Sequence, residues 1–321
     1  MIRLSFVTAF LYLSVLGAAL AESKSTGVAI TESADKVTVN INGELFTEYV
    51  FRGAPHVYFY PLIGPGNAPM TRNWPMKVVE GEERDHKHHR SLWYSHGSVN
   101  GVDFWAEGAK SGRIEHEKFL EIKSGADSGV IRSANRWVAL DGKVQLTDEC
   151  VFRVYNRPAS ERLFDFEITL KAGDGDVVLG DTKEGTMAIR LNENMRLTRG
   201  KNTPGQGRIV QSTDVWDGKT WGKRAAWCDY YGPVDGKTVG VAIFDHPSNP
   251  RHPTHWHVRD YGLFAANPFG VRDFERDKTK NGEMKLAKGG AVRFRYRLII
   301  HPGDSTEAKI ADEFKKYAKV K

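Results

Sequence analysis

The sequence predicts an all-β fold: a large sandwich of two extended sheets with one helix packed on it. Segments of alternating apolar and polar residues recur along the chain, 32 glycines supply turns, and one amphipathic helix pattern follows near the C-terminus. Such alternation is typical of antiparallel strands that face the core on one side and water on the other. We expect a single domain over residues 22–321, with two smaller sandwiches as the alternative.

The strands are indicated by runs of β-branched and aromatic residues, which fit a pleated, half-buried surface. Two runs end at dipeptides that favour tight hairpin turns, Asn42-Gly43 and Asp141-Gly142. In chain order, the predicted strands are 36–43, 56–64, 129–140, 144–156, 162–173, 186–191, 238–246, 255–259 and 291–303.

The helix is predicted within residues 303–320, "GDSTEAKIADEFKKYAKV". Asp304 and Glu307 have the spacing of a capping box at a helix start. Apolar residues then recur at helical intervals from Ile310 to Tyr317, so one face of the helix is apolar. We expect that face to pack on a sheet.

The N-terminal residues indicate export. Arg3 is followed by an uncharged apolar run over residues 4–20, and Ala19-Leu20-Ala21 fits a cleavage site. The sequence therefore predicts a signal peptide over residues 1–21 and a secreted or periplasmic protein. A membrane anchor is the alternative, but the run is short for a spanning helix, which needs about 20 apolar residues.

Composition argues against several classes of partner. The net charge of +6 comes from interspersed basic and acidic residues, without the basic block that nucleic-acid binding favours. No other long apolar segment occurs, so we expect no membrane contact after signal cleavage. Export permits a disulfide between Cys150 and Cys228, but their apolar surroundings fit two buried thiols equally well.

Eight of the 11 histidines lie in two short segments, of which the first is "DHKHHRSLWYSHG" (85–97). In an extended chain, His86, His88 and Arg90 share one face and His89 lies on the other. Imidazole serves as an acid, a base or a neutral ligand near neutral pH. A guanidinium such as that of Arg90 complements a carboxylate or polarises a carbonyl.

The loop that follows, residues 95–105, presents His96 beside turn-forming glycines. Asp103 in this loop is a candidate hydrogen-bonding residue, and Trp93 just before it is a candidate ligand-facing ring. Aromatic rings offer large flat apolar surfaces, which suit the apolar faces of sugar rings.

The second segment is "DHPSNPRHPTHWHVR" (245–259). In its alternating end, His255, His257 and Arg259 project to one face. Three prolines stiffen the preceding part, which carries His246. We expect the two segments to meet in one concavity of the sandwich, although they are far apart in the chain.

This shared polar site predicts acid–base chemistry on a bound substrate. A histidine of the first segment would be the acid, and a histidine of the second segment, or Glu184 in a turn before a strand, would be the base. The catalytic candidates are His88, His89, His96, Glu184, His255 and His257, and the candidate substrate-binding residues are His86, Arg90, Trp93, Asp103, His246 and Arg259.

A zinc site is the alternative, with nitrogen ligands from His86, His88, His255 and His257. The sequence has no motif with a fixed metal-ligand spacing, and the arginines of both segments would oppose a cation. The sequence therefore favours a site that works without a cofactor.

Four stretches resemble the PmoA-like family of exported bacterial proteins: "DHKHHRSLWYSHGSVNGVDFW", "KEGTMAIRL", "VAIFDHPSNPRHPTHWHVRDYGLFAANPFG" and "YRLIIHPGD". This chain has Lys87 and Ser91 where the family's usual motif has Pro and Gly, and neither change removes a titratable group. Covering residues 36–319, the resemblance implies a β-supersandwich similar to galactose mutarotases and a setting of polysaccharide-degrading bacteria. The methane oxygenase subunit that the family name suggests needs several spanning helices, and the sequence shows no segments for them.

Three functions fit these observations. The first is a secreted carbohydrate-active enzyme of the epimerase, hydrolase or lyase type, which uses His, Arg and Glu on a sugar or modified glycoside. The second is a non-catalytic carbohydrate-binding protein, which needs the aromatic residues and arginines but no titratable pairs. The third is a zinc-dependent hydrolase or lyase. The excess of histidine favours the first.

Overall fold

The computed structural model describes residue 2 and residues 26–200 and 203–321. The signal peptide predicted over residues 1–21 therefore lies outside the described residues, apart from position 2. Two eight-stranded antiparallel sheets and one two-stranded ribbon form the described chain, which confirms the predicted all-β class with two large sheets. Within these ranges, no helix has the length and apolar character needed to cross a bilayer.

The strands are numbered in chain order. They are β1 (Val28–Glu32), β2 (Lys36–Ile41), β3 (Glu44–Val50), β4 (Tyr58–Leu62), β5 (Leu92–His96), β6 (Arg113–Lys123), β7 (Ser128–Val138), β8 (Val144–Tyr155), β9 (Arg162–Lys171), β10 (Val177–Leu179), β11 (Gly185–Arg190), β12 (Arg208–Gln211), β13 (Trp227–Val234), β14 (Lys237–Asp245), β15 (His255–Val258), β16 (Leu263–Asn267), β17 (Met284–Leu286) and β18 (Ala291–Pro302). The helices are α1 (Val271–Phe274) and α2 (Ile310–Tyr317), and the short 3-10 turns are Pro65–Asn67, Glu193–Met195 and Asp217–Lys219.

Each large sheet has a mixed strand order, which brings distant parts of the chain side by side. Sheet I has the order β1-β2-β3-β4-β5-β11-β16-β15, and sheet II has the order β12-β13-β14-β18-β9-β8-β7-β6. Strands β10 and β17 form the separate ribbon. In sheet I, the strand that follows the first histidine segment is therefore only three strands away from the strand that carries the second.

The core lies between the inner faces of the two sheets. Aromatic rings meet across this interface: the Phe59 ring of sheet I lies 4.1 Å from that of Phe152 in sheet II, and Phe46 lies 5.4 Å from Phe164, measured between ring centres. Burying a side chain of this size contributes about 1.5–3 kcal/mol. Because the inner faces supply the core, the outer face of sheet I is available for other groups.

All nine predicted strands are present, with ends within two residues of the predicted ones. The predicted hairpin turn also forms: Asn42 and Gly43 have φ values of 51° and 81°, between strands β2 and β3. Positive φ at both central residues is the geometry of a type I′ turn. Local alternation and turn chemistry were therefore sufficient to position these elements.

The C-terminal helix is shorter than predicted. The capping box forms, since the Asp304 N–H donates to Glu307 Oε2 (3.1 Å) and the Glu307 N–H donates to Asp304 Oδ1 (2.9 Å). It closes a separate turn, because Lys309 has a left-handed φ of 53° and the regular helix begins at Ile310. The predicted start is therefore wrong. The predicted packing is confirmed, because Ile310 and Tyr317 contact the outer face of sheet II at Ala242, Phe244 and Ile299.

Both cysteines are free and buried, Cys150 in strand β8 and Cys228 in strand β13. Burial raises the pKa of both thiols. Buried thiols with raised pKa values are poor nucleophiles and pack as small apolar side chains. Of the two possibilities that the sequence left open, the structure has the two separate thiols.

Candidate functional site

The two histidine segments meet on the outer face of sheet I. Strand pairing places Trp93 opposite Ala188, Ala188 opposite Ala265, and Ala265 opposite His257, so these four residues form one lateral row. Neighbouring strands are about 4.8 Å apart, so the row brings the segments within reach of one ligand. We call this region the histidine face. It carries His86, His89, Arg190, His257, Arg259 and Tyr261.

Asp85 is the charged centre of the histidine face. Its Oδ1 accepts hydrogen bonds from Arg190 Nη2 (2.9 Å) and from Arg72 Nη1, and both guanidinium side chains are fully buried. Burial by itself raises the pKa of the Asp85 carboxyl. The hydrogen bond with His86 and the charges of Arg190 and Arg72 outweigh this effect and hold the pKa well below its usual range. Asp85 is therefore a fixed negative charge.

His86 forms a carboxylate–imidazole pair with Asp85. Its Nδ1 lies 2.7 Å from Asp85 Oδ2, so Nδ1–H donates to the carboxylate and Nε2 carries the lone pair. The ring stacks on Tyr261 at 5.3 Å and on His89 at 4.7 Å. With 41% of the side chain exposed, His86 can reach a ligand. This is the arrangement of a general base whose protonated form a carboxylate stabilises.

His89 has the opposite tautomer. Arg190 Nη1 donates to its Nδ1 (3.1 Å), so its proton is on Nε2. Burial, followed by the influence of His88 and Arg190, lowers the pKa of His89 well below 6.5, and burial likewise lowers the pKa of His88 to about 4. Both imidazoles are therefore neutral at neutral pH. His89 lies between His86 and Trp93, whose ring centre is 5.3 Å away.

His257 is a second neutral imidazole with a defined tautomer. Its Nδ1–H donates to the Lys183 carbonyl oxygen (2.6 Å), which leaves the lone pair on Nε2. Burial lowers the pKa of His257 to about 4. Its ring lies edge-on to Trp221, with 6.3 Å between ring centres. Unlike His86 it has no carboxylate partner, so it is better suited to accept a hydrogen bond than to hold a proton.

Tyr261 joins the two segments. Its ring contacts the His86 ring, and its centre lies 4.8 Å from Arg190 Cζ and 5.3 Å from Arg259 Cζ. Burial raises the pKa of Tyr261, the two arginines lower it, and the charge of Glu184 raises it again. The Glu184 side chain is 39% exposed and lies 3.2 Å from Lys183 Nζ. The first segment, the second segment and Glu184 therefore act on one aromatic ring.

Arg90 does not share this region with Arg259. Its guanidinium forms two hydrogen bonds with Glu107, from Nε to Oε1 (2.5 Å) and from Nη2 to Oε2 (2.8 Å), and its Cζ lies 5.5 Å from the centre of the Tyr58 ring. A carboxylate already occupies both sides of the guanidinium fork. The arginine that accompanies Arg259 is Arg190, which sequence reasoning missed.

Three other candidates for substrate binding lie away from an accessible surface of the histidine face. Trp93 faces it but is only 1% exposed, because His89 and Trp105 cover its ring. Asp103 accepts the backbone N–H groups of Trp105 and Ala106 through Oδ1 and so closes a turn. His246 is bound to Ser248 and to the carbonyl of residue 320. Each therefore has a structural role here.

His255 lies at the outer end of strand β15. Its Nε2 is 3.3 Å from Glu275 Oε1, and its ring stacks on Phe274 at 5.4 Å. The alternative zinc ligands are consequently not assembled, since this nitrogen of His255 and Nδ1 of His257 already have protein partners. Across residues 26–200 and 203–321, no group of three or more His, Cys, Asp or Glu side chains is placed to hold a metal ion.

His96 faces the protein interior. Because strand β5 alternates, Leu92, Tyr94 and His96 point inward and Trp93 points outward. The His96 side chain is fully buried, and its Nε2 lies 2.9 Å from the Gly180 carbonyl oxygen. The structure therefore does not bring this catalytic candidate to the histidine face.

The buried His96 predicts acid sensitivity of the fold. Burial lowers its pKa from 6.5 to about 4, so the unfolded chain takes up a proton at a pH where the folded chain does not. We expect this residue to remove about 3 kcal/mol of unfolding free energy as the pH falls from about 6.5 to about 4. Urea unfolding of wild type and His96→Gln across this range measures the effect. A pH dependence that is equally steep in both proteins would refute it.

Four residues of the site were missed by sequence reasoning, namely Arg72, Arg190, Trp221 and Tyr261. Only Tyr261 gave a signal, since it begins the aromatic, glycine-rich stretch that continues the second segment. Arg190 stands at the end of the predicted strand 186–191 on the same side as Ala188, so alternation gave its face but not its partner.

Comparison with known proteins gives a family and several distant structures. A model described as a family of unknown function (DUF6807) matches residues 36–315. No curated protein matches the chain. The resemblance to PmoA-like proteins stays a prediction, because the matching model does not carry that name.

Solved structures that are similar to this chain include three carbohydrate enzymes or their homologues. A heparan sulfate lyase from Pedobacter heparinus is 11% identical with a TM-score of 0.39, covering 88% of this chain and 36% of the lyase. A glycoside hydrolase family 97 enzyme from Pseudoalteromonas sp. strain K8 is 12% identical with a TM-score of 0.34, covering 86% and 34%. A GalM/aldose epimerase homologue from C. elegans is 8% identical with a TM-score of 0.34, covering 86% and 99%. This chain thus spans about a third of the length of the first two.

Proposed function

We propose that this chain, which belongs to the DUF6807 family of unknown function, is an enzyme that performs acid–base chemistry on a carbohydrate at the histidine face. The observation that carries the proposal is the exposed His86, paired with a fixed negative Asp85 and stacked on a tyrosine that two arginines also contact. A module that only binds sugar needs no such pair.

In this proposal, His86 takes and returns the proton, because Asp85 orients its ring and stabilises its cation. Arg259 and the Tyr261 hydroxyl bind sugar oxygens, and the aromatic ring supplies an apolar surface for the sugar. His257 accepts a hydrogen bond from a sugar hydroxyl at its unprotonated Nε2. This scheme moves the catalytic role from His88 and His89, which are neutral supports beneath His86, to His86 itself.

Epimerisation, hydrolysis and β-elimination all need a group that accepts a proton and returns it, so the proposal covers these three reaction types. Glu184 is the candidate for the second titratable group, because its carboxylate is partly exposed and its charge reaches Tyr261. From residues 1–21 we further propose that the enzyme acts after export.

A panel of mono-, oligo- and 3-keto-sugars, followed by mass spectrometry and NMR, tests the proposal. We expect wild type to convert at least one compound, and His257→Gln to raise KM for it about tenfold or more with a smaller effect on kcat, because a hydrogen bond to the sugar is lost. Affinity for sugars without any conversion would instead indicate a binding protein. Activity that disappears with a chelator and returns with zinc would indicate the metal-dependent alternative.

A further inference from the structure

The groove beside Trp221 has charges that the proposed proton transfer does not use. Trp221 lies edge-on to His257, so the groove adjoins the histidine face. Two clefts of about 500 and 760 Å³ flank the ring, and both are lined by Gly218, Trp221 and Arg276. These volumes fall within the range of about 300–1,000 Å³ that small-molecule sites occupy. We call the two clefts together the Trp221 groove.

Two guanidinium groups approach the same ring. Arg259 Cζ and Arg276 Cζ each lie 6.0 Å from the centre of the Trp221 ring. Neither arginine forms an ion pair with a carboxylate in the part of the chain that the structure describes. An arginine that contacts only an aromatic ring keeps its planar set of N–H donors free for an anion.

The rim of the groove adds to the positive charge. Lys219 and Lys223 are exposed and, over the described ranges, have no carboxylate within ion-pair distance. Three acidic residues also line the groove, but two of them are already paired. Asp217 is bound by Arg208 (3.0 Å), Glu275 is bound by Lys280, and Asp260 is the third. The unpaired basic groups therefore outnumber the unpaired acidic ones.

We infer that the Trp221 groove binds an acidic sugar unit, one that carries a carboxylate or a sulfate, next to the unit that reacts at the histidine face. The sugar ring packs on Trp221, and Arg259 and Arg276 hold the anionic group through charge-assisted hydrogen bonds, which are stronger than neutral ones. This inference rests on the proposed function and adds the substrate class: an anionic oligosaccharide.

Calorimetric titration of the whole chain tests the inference with three probes: a trisaccharide of galacturonic acid, a sulfated galactose trisaccharide and the neutral galactose trisaccharide. We expect at least one acidic probe to bind about tenfold or more tightly than the neutral one, a difference of about 1.4 kcal/mol, and its affinity to fall with added salt. The acidic probe that binds more tightly identifies the anionic group.

Arg276→Gln should weaken binding of the acidic probe about tenfold and leave binding of the neutral probe unchanged. The matched control is Arg272→Gln, an exposed arginine of helix α1 outside the groove, which should change neither. Equal affinity for the three probes, or equal effects of both substitutions, overturns the inference. Because binding is measured without turnover, this failure differs from failure of the proposed function, which would show as unchanged turnover after substitution of His86.

Discussion

Replacing His86 by asparagine is expected to lower kcat by about 10²–10⁴-fold, with a much smaller change in KM. Asparagine keeps a polar side chain that can still donate to Asp85, but it has no nitrogen that accepts a proton at neutral pH. Such a loss in kcat is typical of a group that acts in the transition state. Steady-state kinetics on the compound found in the sugar panel measure both constants.

The chain offers a matched control for this substitution. His252 Nδ1 lies 2.8 Å from Asp245 Oδ2, so it forms the same kind of carboxylate–imidazole pair, but its ring faces Phe314 of the C-terminal helix. His252→Asn should leave kcat within a factor of about two. If the two variants lose activity equally, the His86 effect comes from weakened folding, and the proposed role of His86 is wrong.

The fold could be predicted from sequence wherever a strand alternates without interruption. Strand β8 alternates along its length and was predicted to within a residue, whereas β6 (Arg113–Lys123) was missed. Strand β6 is a charged, largely solvent-facing edge strand with register shifts at residues 116–118 and 119–121. Each bulge reverses the side-chain alternation, so no sequence period marks this strand.

The site could be predicted as two segments on one face, but not as a set of contacts. Alternation gave the direction of His257 and Arg259. It could not show that Asp85 bonds to Arg190, which is 105 positions away in the chain, because that contact depends on which strands are neighbours in sheet I. The same limit explains Arg90, whose partner Glu107 comes from the loop after β5. A period in the sequence specifies a face, whereas only the strand order specifies a partner.

Asp85→Asn is expected to lower the unfolding free energy by about 3 kcal/mol, the lower end of the range for breaking a buried ion pair. The lower end applies because the Asp85 side chain is 32% exposed and water screens part of its charge. The cost arises on the other side of the pair: Arg72 and Arg190 have fully buried guanidinium groups and would keep their charges without a counterion. Urea unfolding measures the change. Asp141→Asn, which breaks an exposed pair with Lys143, is the control and should stay within about 0.5 kcal/mol of wild type.

A double-mutant cycle separates this explanation from a simple loss of packing. If uncompensated charge is the cause, Arg190→Met should cost less in the Asp85→Asn background than in wild type, because it then removes one of the two unpaired charges. We expect the double variant to be more stable than the sum of the single effects predicts, by about 1 kcal/mol or more. Additive effects would mean that Asp85 serves mainly to orient His86. Asp85→Asn would then lower kcat with little loss of stability, and the buried arginines would have another source of compensation.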